Sequence, residues 1–211
     1  INGEEVDLRT PITEDCELEI CTFDDPFGKH AFWHTSSHIL AQAVLRLFPN
    51  AKFAIGPAVD DGFYYDFDVK PPLTAEDLPA IEEEMRKIVK EAHPITRKLV
   101  EPAEAMEIFK DQPYKLELLQ KHADAGQQIS LYEQGEFVAL CAGPPLMDTG
   151  AVKAIKLTSA TGAYWHRASR LAMPRRTLRT SYPNQPLLPA HLTKFEGAQT
   201  PDPRQRVQAL H

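Results

Sequence analysis

His34-Thr35-Ser36-Ser37-His38 carries two imidazoles four positions apart. On a helix that spacing places both on one face, close enough to share a water, a polar ligand or a metal ion. On a helical wheel Leu40, Ala43, Val44 and Leu47 form the main apolar stripe, and His34 and His38 lie beside it with Ala41 and Leu45. The pair is therefore expected to border the core, as pocket-lining residues do, although the same spacing also arises by chance. Cys141 follows a strand-like run and enters the turn Ala142-Gly143-Pro144. Its thiol could turn back into the pocket as a ligand, a hydrogen-bonding group or a nucleophile, or be an inert buried cysteine. Spacing alone names no general base for it and no third metal ligand. Residues 56–66 (GPAVDDGFYYD) hold two glycines suited to tight backbone positions and two tyrosines able to offer hydroxyls to a polar substrate, or simply to an aromatic core.

Those residues need elements to hold them. A helical pattern over residues 30–48 follows the turn cluster Asp25-Pro26-Phe27-Gly28 and stops at Pro49-Asn50, which puts a first domain boundary at residue 28. Ahead of it, residues 17–23 (ELEICTF) alternate like a half-buried strand, and a chain opening at Ile1 reads as the tail of something longer. Segments 52–55 and 63–69 pair as a hairpin. Thr74 and Asp77 have capping-box spacing before a helix with Leu78, Ile81, Met85, Ile88 and Ala92 on its apolar face and Glu82, Glu83, Glu84, Arg86 and Lys87 in solvent. A strand at 95–100, one or two short helices between residues 102 and 122, and strands at 129–132, 137–140 and 156–164 complete the pattern. Helices mixed with antiparallel strands predict an α+β fold rather than a wound parallel sheet. The proline-punctuated residues 186–211 read as a linker.

With 211 residues, of which 43% are hydrophobic, the chain can bury one substantial core and a smaller appendage. Nothing approaches the roughly 18 apolar residues of a membrane span, and the acidic opening does not suit a signal peptide, so a cytoplasmic address with no membrane partner is expected. Cys16, Cys21 and Cys141 fit neither a disulfide framework nor a zinc knuckle. The net charge of -7 excludes a surface that grips phosphate backbone all over. It leaves one basic strip, Arg167, Arg170, Arg175, Arg176 and Arg179, as a local nucleic-acid contact or a solvated face.

Four successive words, HTSSHILAQAV, AIGPAVDDGFYYDF, FVALCAGPP and LTSATGAYWHR, resemble in order and spacing the second amino-terminal domain of bacterial threonyl-tRNA synthetases. Residues 1–28, with INGEEVDLRTPI and LEICTFDD, resemble the carboxyl-terminal half of the small ubiquitin-like TGS domain that precedes it. The resemblance implies a partial β-grasp fragment over 1–28, an editing domain over 29–185 built as a mostly antiparallel sheet packed with a long helix, and a linker over 186–211. It implies hydrolysis of serine misattached to threonine tRNA, because one methyl group is worth only about 1–3 kcal/mol of discrimination. By motif position His34, His38, Cys141 and Lys115 match catalytic-pocket residues and Tyr65 matches a tyrosine holding the seryl group. The acceptor end of tRNA(Thr) is the implied partner, with the arginine strip as its contact. No cofactor is expected here; ATP, magnesium and zinc belong to the family's catalytic domain, which this stretch lacks. A zinc ion, if present, would take His34, His38 and Cys141.

The departures are as specific as the matches. The family pattern places an acid two residues before the cysteine and a histidine four after it, where this chain has Ala139 and Pro145; Arg167-Ala168-Ser169 replaces glycine-aspartate-serine, and Pro174 stands where a strand is expected. Lost polar groups predict weakened hydrolysis and support a second reading, a degenerate tRNA-binding module, while the partial first domain suits a third, a truncated regulatory fragment.

Overall fold

The computed structural model describes residues 1–59, 62–141 and 143–160, and the backbone of 161–162 and 175–182. Residues 1–25 form turns and irregular chain. The regular elements follow as α1 (Pro26–Leu47), β1 (Lys52–Phe53), β2 (Ala58–Val59), β3 (Gly62–Asp68), α2 (Leu78–Glu91), β4 (Ile95–Val100), α3 (Pro102–Ile108), α4 (Pro113–Asp124), β5 (Ile129–Gln134), β6 (Phe137–Leu140), β7 (Ala154–Gly162) and β8 (Arg175–Tyr182). Two antiparallel sheets result: a five-stranded one ordered β1-β3-β8-β7, with β2 also on β3, and a three-stranded one ordered β4-β5-β6. The fold is α+β, as expected.

Helix α1 runs through the middle of the molecule. Pro26 sits in its first turn, where the missing N–H costs nothing, and Phe48 ends it with an N–H donated to the Val44 carbonyl just before Pro49. Every residue from Phe32 to Val44 is buried, so the helix is enclosed on all sides rather than along one stripe. Its hydroxyls are satisfied locally, Thr35 donating to the Ala31 carbonyl and Ser36 to that of Phe32. The helical wheel places Leu47 in the stripe and the histidines at its edge. Instead Leu47 is exposed and His34 and His38 lie within the core, because both sheets and α2 crowd the helix along residues 32–44.

The main core joins α1, α2 and the inner faces of both sheets through Leu40, Val44, Phe53, Phe67, Met85 and Tyr132. A second cluster under α3 and α4 holds Val100, Ala105, Leu119, Ile129 and Leu131. The β5–β6 hairpin closes through Gly135-Glu136, and the φ of +53° at Gly135 is a left-handed conformation suited to glycine.

Several expectations change. Residues 17–23 form no strand: no partner ladder reaches them among the described residues, and Leu18 and Ile20 are exposed. The helix opens at Pro26, ahead of the expected start at residue 30. Thr74 and Asp77 do form a capping box, with the Thr74 N–H donated to the Asp77 carboxylate at 2.7 Å, but they cap a 3-10 turn that leads into α2. Ala92 is not a core position; it is exposed and ends α2 in the left-handed region. Glu82 is not solvated either. It is buried, accepts the Leu157 N–H at 2.7 Å and pairs with Arg86 and Lys156, tying α2 to β7. β8 begins at Arg175 and takes a central place between β3 and β7; Pro174 lies outside the described residues.

Candidate functional site

Four elements deliver the five side chains of the candidate pocket. α1 carries His34 and His38, with ring centroids 4.6 Å apart at 72°. Cys141 follows directly on β6, on the strand face shared by Phe137 and Ala139, and the Phe137 ring lies 6.3 Å from that of His38. One ligand atom each from His34, His38 and Cys141 lies within 4.8 Å of the others. α4 contributes Lys115, only 4% exposed, whose Nζ stands 5.7 Å from the centre of the Tyr65 ring on β3.

Close packing positions Tyr65. A Cβ on Gly56 would fall 2.1 Å from the Tyr65 ring, so only glycine fits beneath it. The Gly56 carbonyl is in turn held to α1 by the Ser37 hydroxyl at 2.7 Å, which also donates to the His34 carbonyl at 2.8 Å. The loop after Cys141 closes the other side. Gly143 approaches His30 and His34, the Leu146 N–H is donated to the Thr35 hydroxyl at 2.8 Å, and the Ser130 hydroxyl holds the Cys141 carbonyl at 2.8 Å.

Burial sets the protonation states. It drives His34 down to about 4, helped by His30 and Lys115, and takes His38 well below its ordinary value, so both imidazoles are neutral near pH 7. Burial pushes the Cys141 thiol up to about 12, against the opposing pull of Lys115 and Arg97; it is a protonated thiol, not a nucleophile. Lys115 is brought down to about 8 by burial. Tyr65 is raised by burial, then by Cys141 and Asp66, and stays a phenol. Two buried ring nitrogens, His34 Nε2 and His38 Nδ1, have no hydrogen-bond partner. In a folded protein such atoms are costly, which marks them as groups that meet a water or a ligand.

The predicted residues therefore divide. His34, His38, Cys141, Lys115 and Tyr65 converge on one place. Arg175, Arg176 and Arg179 lie along β8, in register with Phe67, Asp66 and Phe63 of β3, while Arg167, Arg170 and Ala168 lie outside the described residues, as does the linker over 186–211. Ala139 is buried among core side chains, and Pro145 is buried beside the amino-terminal segment. Periodicity offers no signal for Lys115, a polar residue in the first turn of a short helix, nor for the buried Gln42, which bonds Gln134 at 2.9 Å. No helix among the described residues is long and apolar enough to cross a membrane.

An α+β fold thus brings two neutral histidines, a thiol and a lysine to one place, and sequence relatives narrow the class. The chain is 52% identical over 211 residues to the threonine–tRNA ligase of Caldanaerobacter subterraneus subsp. tengcongensis, covering 99% of this chain and 33% of that protein. It is 48% identical to the threonine–tRNA ligase of Acetivibrio thermocellus, over 100% of this chain and 33% of the other, and 49% identical to that of Thermotoga maritima, over 97% and 32%. The chain is thus related along its whole length to the threonine–tRNA ligases, and it spans about a third of the length of these curated relatives. No family model matches it.

Proposed function

We propose that this chain is the editing part of a threonine–tRNA ligase and hydrolyses the ester that joins serine to tRNA(Thr). The observation that carries the reading is the pair of buried, unpartnered nitrogens on His34 and His38, beside the Lys115 amine. A water held by the neutral imidazoles is positioned to attack the ester carbonyl, and its proton passes to an imidazole nitrogen or to the Lys115 amine in its unprotonated form. The Lys115 ammonium stabilises the developing oxyanion. The ester C–O bond then breaks, the ribose oxygen takes up the proton, and free serine leaves. The Tyr65 phenol, kept protonated by burial, is available to hold the seryl group.

The step needs no resident metal. A divalent ion among His34, His38 and Cys141 would sit close to the Lys115 ammonium, whose charge already depresses both histidines. ATP is not a reactant in an ester hydrolysis, which consumes only water. The partner is the tRNA acceptor end, met by the basic positions along β8.

A second reading, a tRNA-binding module without hydrolysis, draws on Ala139 and Pro145, two buried apolar side chains at positions where the resemblance places an acid and a histidine. Deacylation of serine-charged and threonine-charged tRNA(Thr) separates the two. Selective release of serine by the unaltered chain upholds the editing reading, whereas release only from a variant with Ala139→Asp and Pro145→His favours the binding module.

A further inference from the structure

The loop that closes the pocket is fastened at its far end twice, by the Ile95 N–H donated to the Met147 carbonyl at 2.9 Å and by the amino-terminal segment. The Arg9 guanidinium donates to the backbone carbonyls of Ile95, Leu146 (3.4 Å) and Met147 (3.3 Å), joining the start of β4 to the chain that follows Cys141. The same guanidinium is held by Asp7, with Nη1 at 2.9 and 3.2 Å from its two carboxylate oxygens, and the Arg9 N–H adds a further bond to Asp7 at 2.9 Å. Asp7 is 9% exposed and accepts the Tyr132 hydroxyl at 3.5 Å; Tyr132 lies opposite Ala139 in the β5–β6 ladder, two positions before Cys141. Between the ends of this loop, Leu146 is tied to Thr35, next to His34, and Gly143 lies against the His34 ring.

We infer that Asp7 and Arg9 form a brace through which residues 1–25 position the wall of the pocket, making Arg9 a positioning residue for the chemistry at His34, His38 and Cys141. The geometry explains why arginine is used. A planar fork bridges a carboxylate and several carbonyls at once, which a lysine ammonium on a flexible stem does not reproduce. Without the brace, the loop from Gly143 to Met147 keeps the Thr35 and Ile95 bonds but loses its anchor to the segment packed outside it. The functional consequence rests on the hydrolytic reading; the brace itself does not.

The test uses the whole chain with Cys16→Ser and Cys21→Ser, leaving Cys141 as the one thiol. The rate at which a maleimide alkylates Cys141 at fixed pH reports on loop opening and requires no catalysis. Arg9→Ala is expected to raise that rate about tenfold and to lower kcat for seryl release by about 10- to 100-fold with KM little changed, as for a misplacement of around 1 Å. Arg9→Lys is expected to fall short of restoring either value. Should Arg9→Ala fail to fold, Arg9→Lys and Asp7→Asn carry the same comparison. An alkylation rate equal to the parent's in these folded variants overturns the brace. A faster alkylation in chains that release no serine in any form upholds the brace and counts against the hydrolytic reading.

Discussion

Lys115 is the side chain whose state most constrains the proposed hydrolysis. Brought down to about 8 by burial, it exchanges its proton near the working pH while it faces Tyr65. Lys115→Met keeps the volume and removes the amine, and seryl release should fall by about 10²–10⁴-fold, measured as single-turnover deacylation with circular dichroism to verify folding. The histidines make a stability prediction. Both bind protons less readily folded than unfolded, so between pH 6.5 and about 4 the unfolded chain carries more protons and stability must fall as the pH falls. Urea midpoints of the parent should decline through that window more steeply than those of a His34→Gln, His38→Gln variant; parallel profiles would contradict neutral burial. Gly56 is the third decisive position. Gly56→Ala forces a methyl into the Tyr65 ring and should cost about 1–3 kcal/mol in chemical denaturation. Elemental analysis of the purified chain should find no stoichiometric zinc.

At the scale of elements, α1 matters because it is enclosed, and what encloses it is α2 with the two sheets. The buried Glu82 carboxylate is the link between α2 and β7, accepting the Leu157 N–H where a strand residue would otherwise lack a partner. Glu82→Ala leaves that donor and Lys156 without it, and a loss of about 1–3 kcal/mol is expected from urea denaturation. Arg46 plays the matching part at the end of α1, bonding Glu84, Glu91 and Glu136 and so holding the β5–β6 hairpin against the helices. Much of this framework is legible in the sequence. The capping-box spacing at Thr74 and Asp77 locates the entry to α2, and the strands at 95–100 and 137–140 occupy the bounds their patterns predict. β8 is not legible, because its polar, arginine-rich run has no alternation to read; its place is set by pairing with β3 on one side and β7 on the other.

At the scale of the whole molecule, an acidic chain that meets a tRNA end, as proposed above, must confine its positive charge. Arg175, Arg176 and Arg179 run along a central strand whose neighbour β3 also carries Tyr65, so the basic positions and the pocket share one sheet. Replacing the three arginines with alanine should weaken tRNA binding and flatten its dependence on salt, since each phosphate no longer neutralised takes close to one counterion out of the slope. Filter binding across a salt series checks this, and an unchanged slope would remove the strip from the interface.

What the sequence determined by itself was local: helix and strand periods, the stop at Pro49, the capping box at Thr74 and the words that resemble one family. Each of the structural signals follows from chain geometry within a few residues. The tertiary structure decided which of those segments are enclosed and what they touch. It turned the bordering histidines into buried ones, left residues 17–23 without a ladder, ended α2 at Ala92 and drew Glu82 inside. It also brought Lys115 to Tyr65 from 50 positions away and joined Arg9 to the loop after Cys141. Burial and protonation depend on neighbours far along the chain, and no local period encodes who those neighbours are.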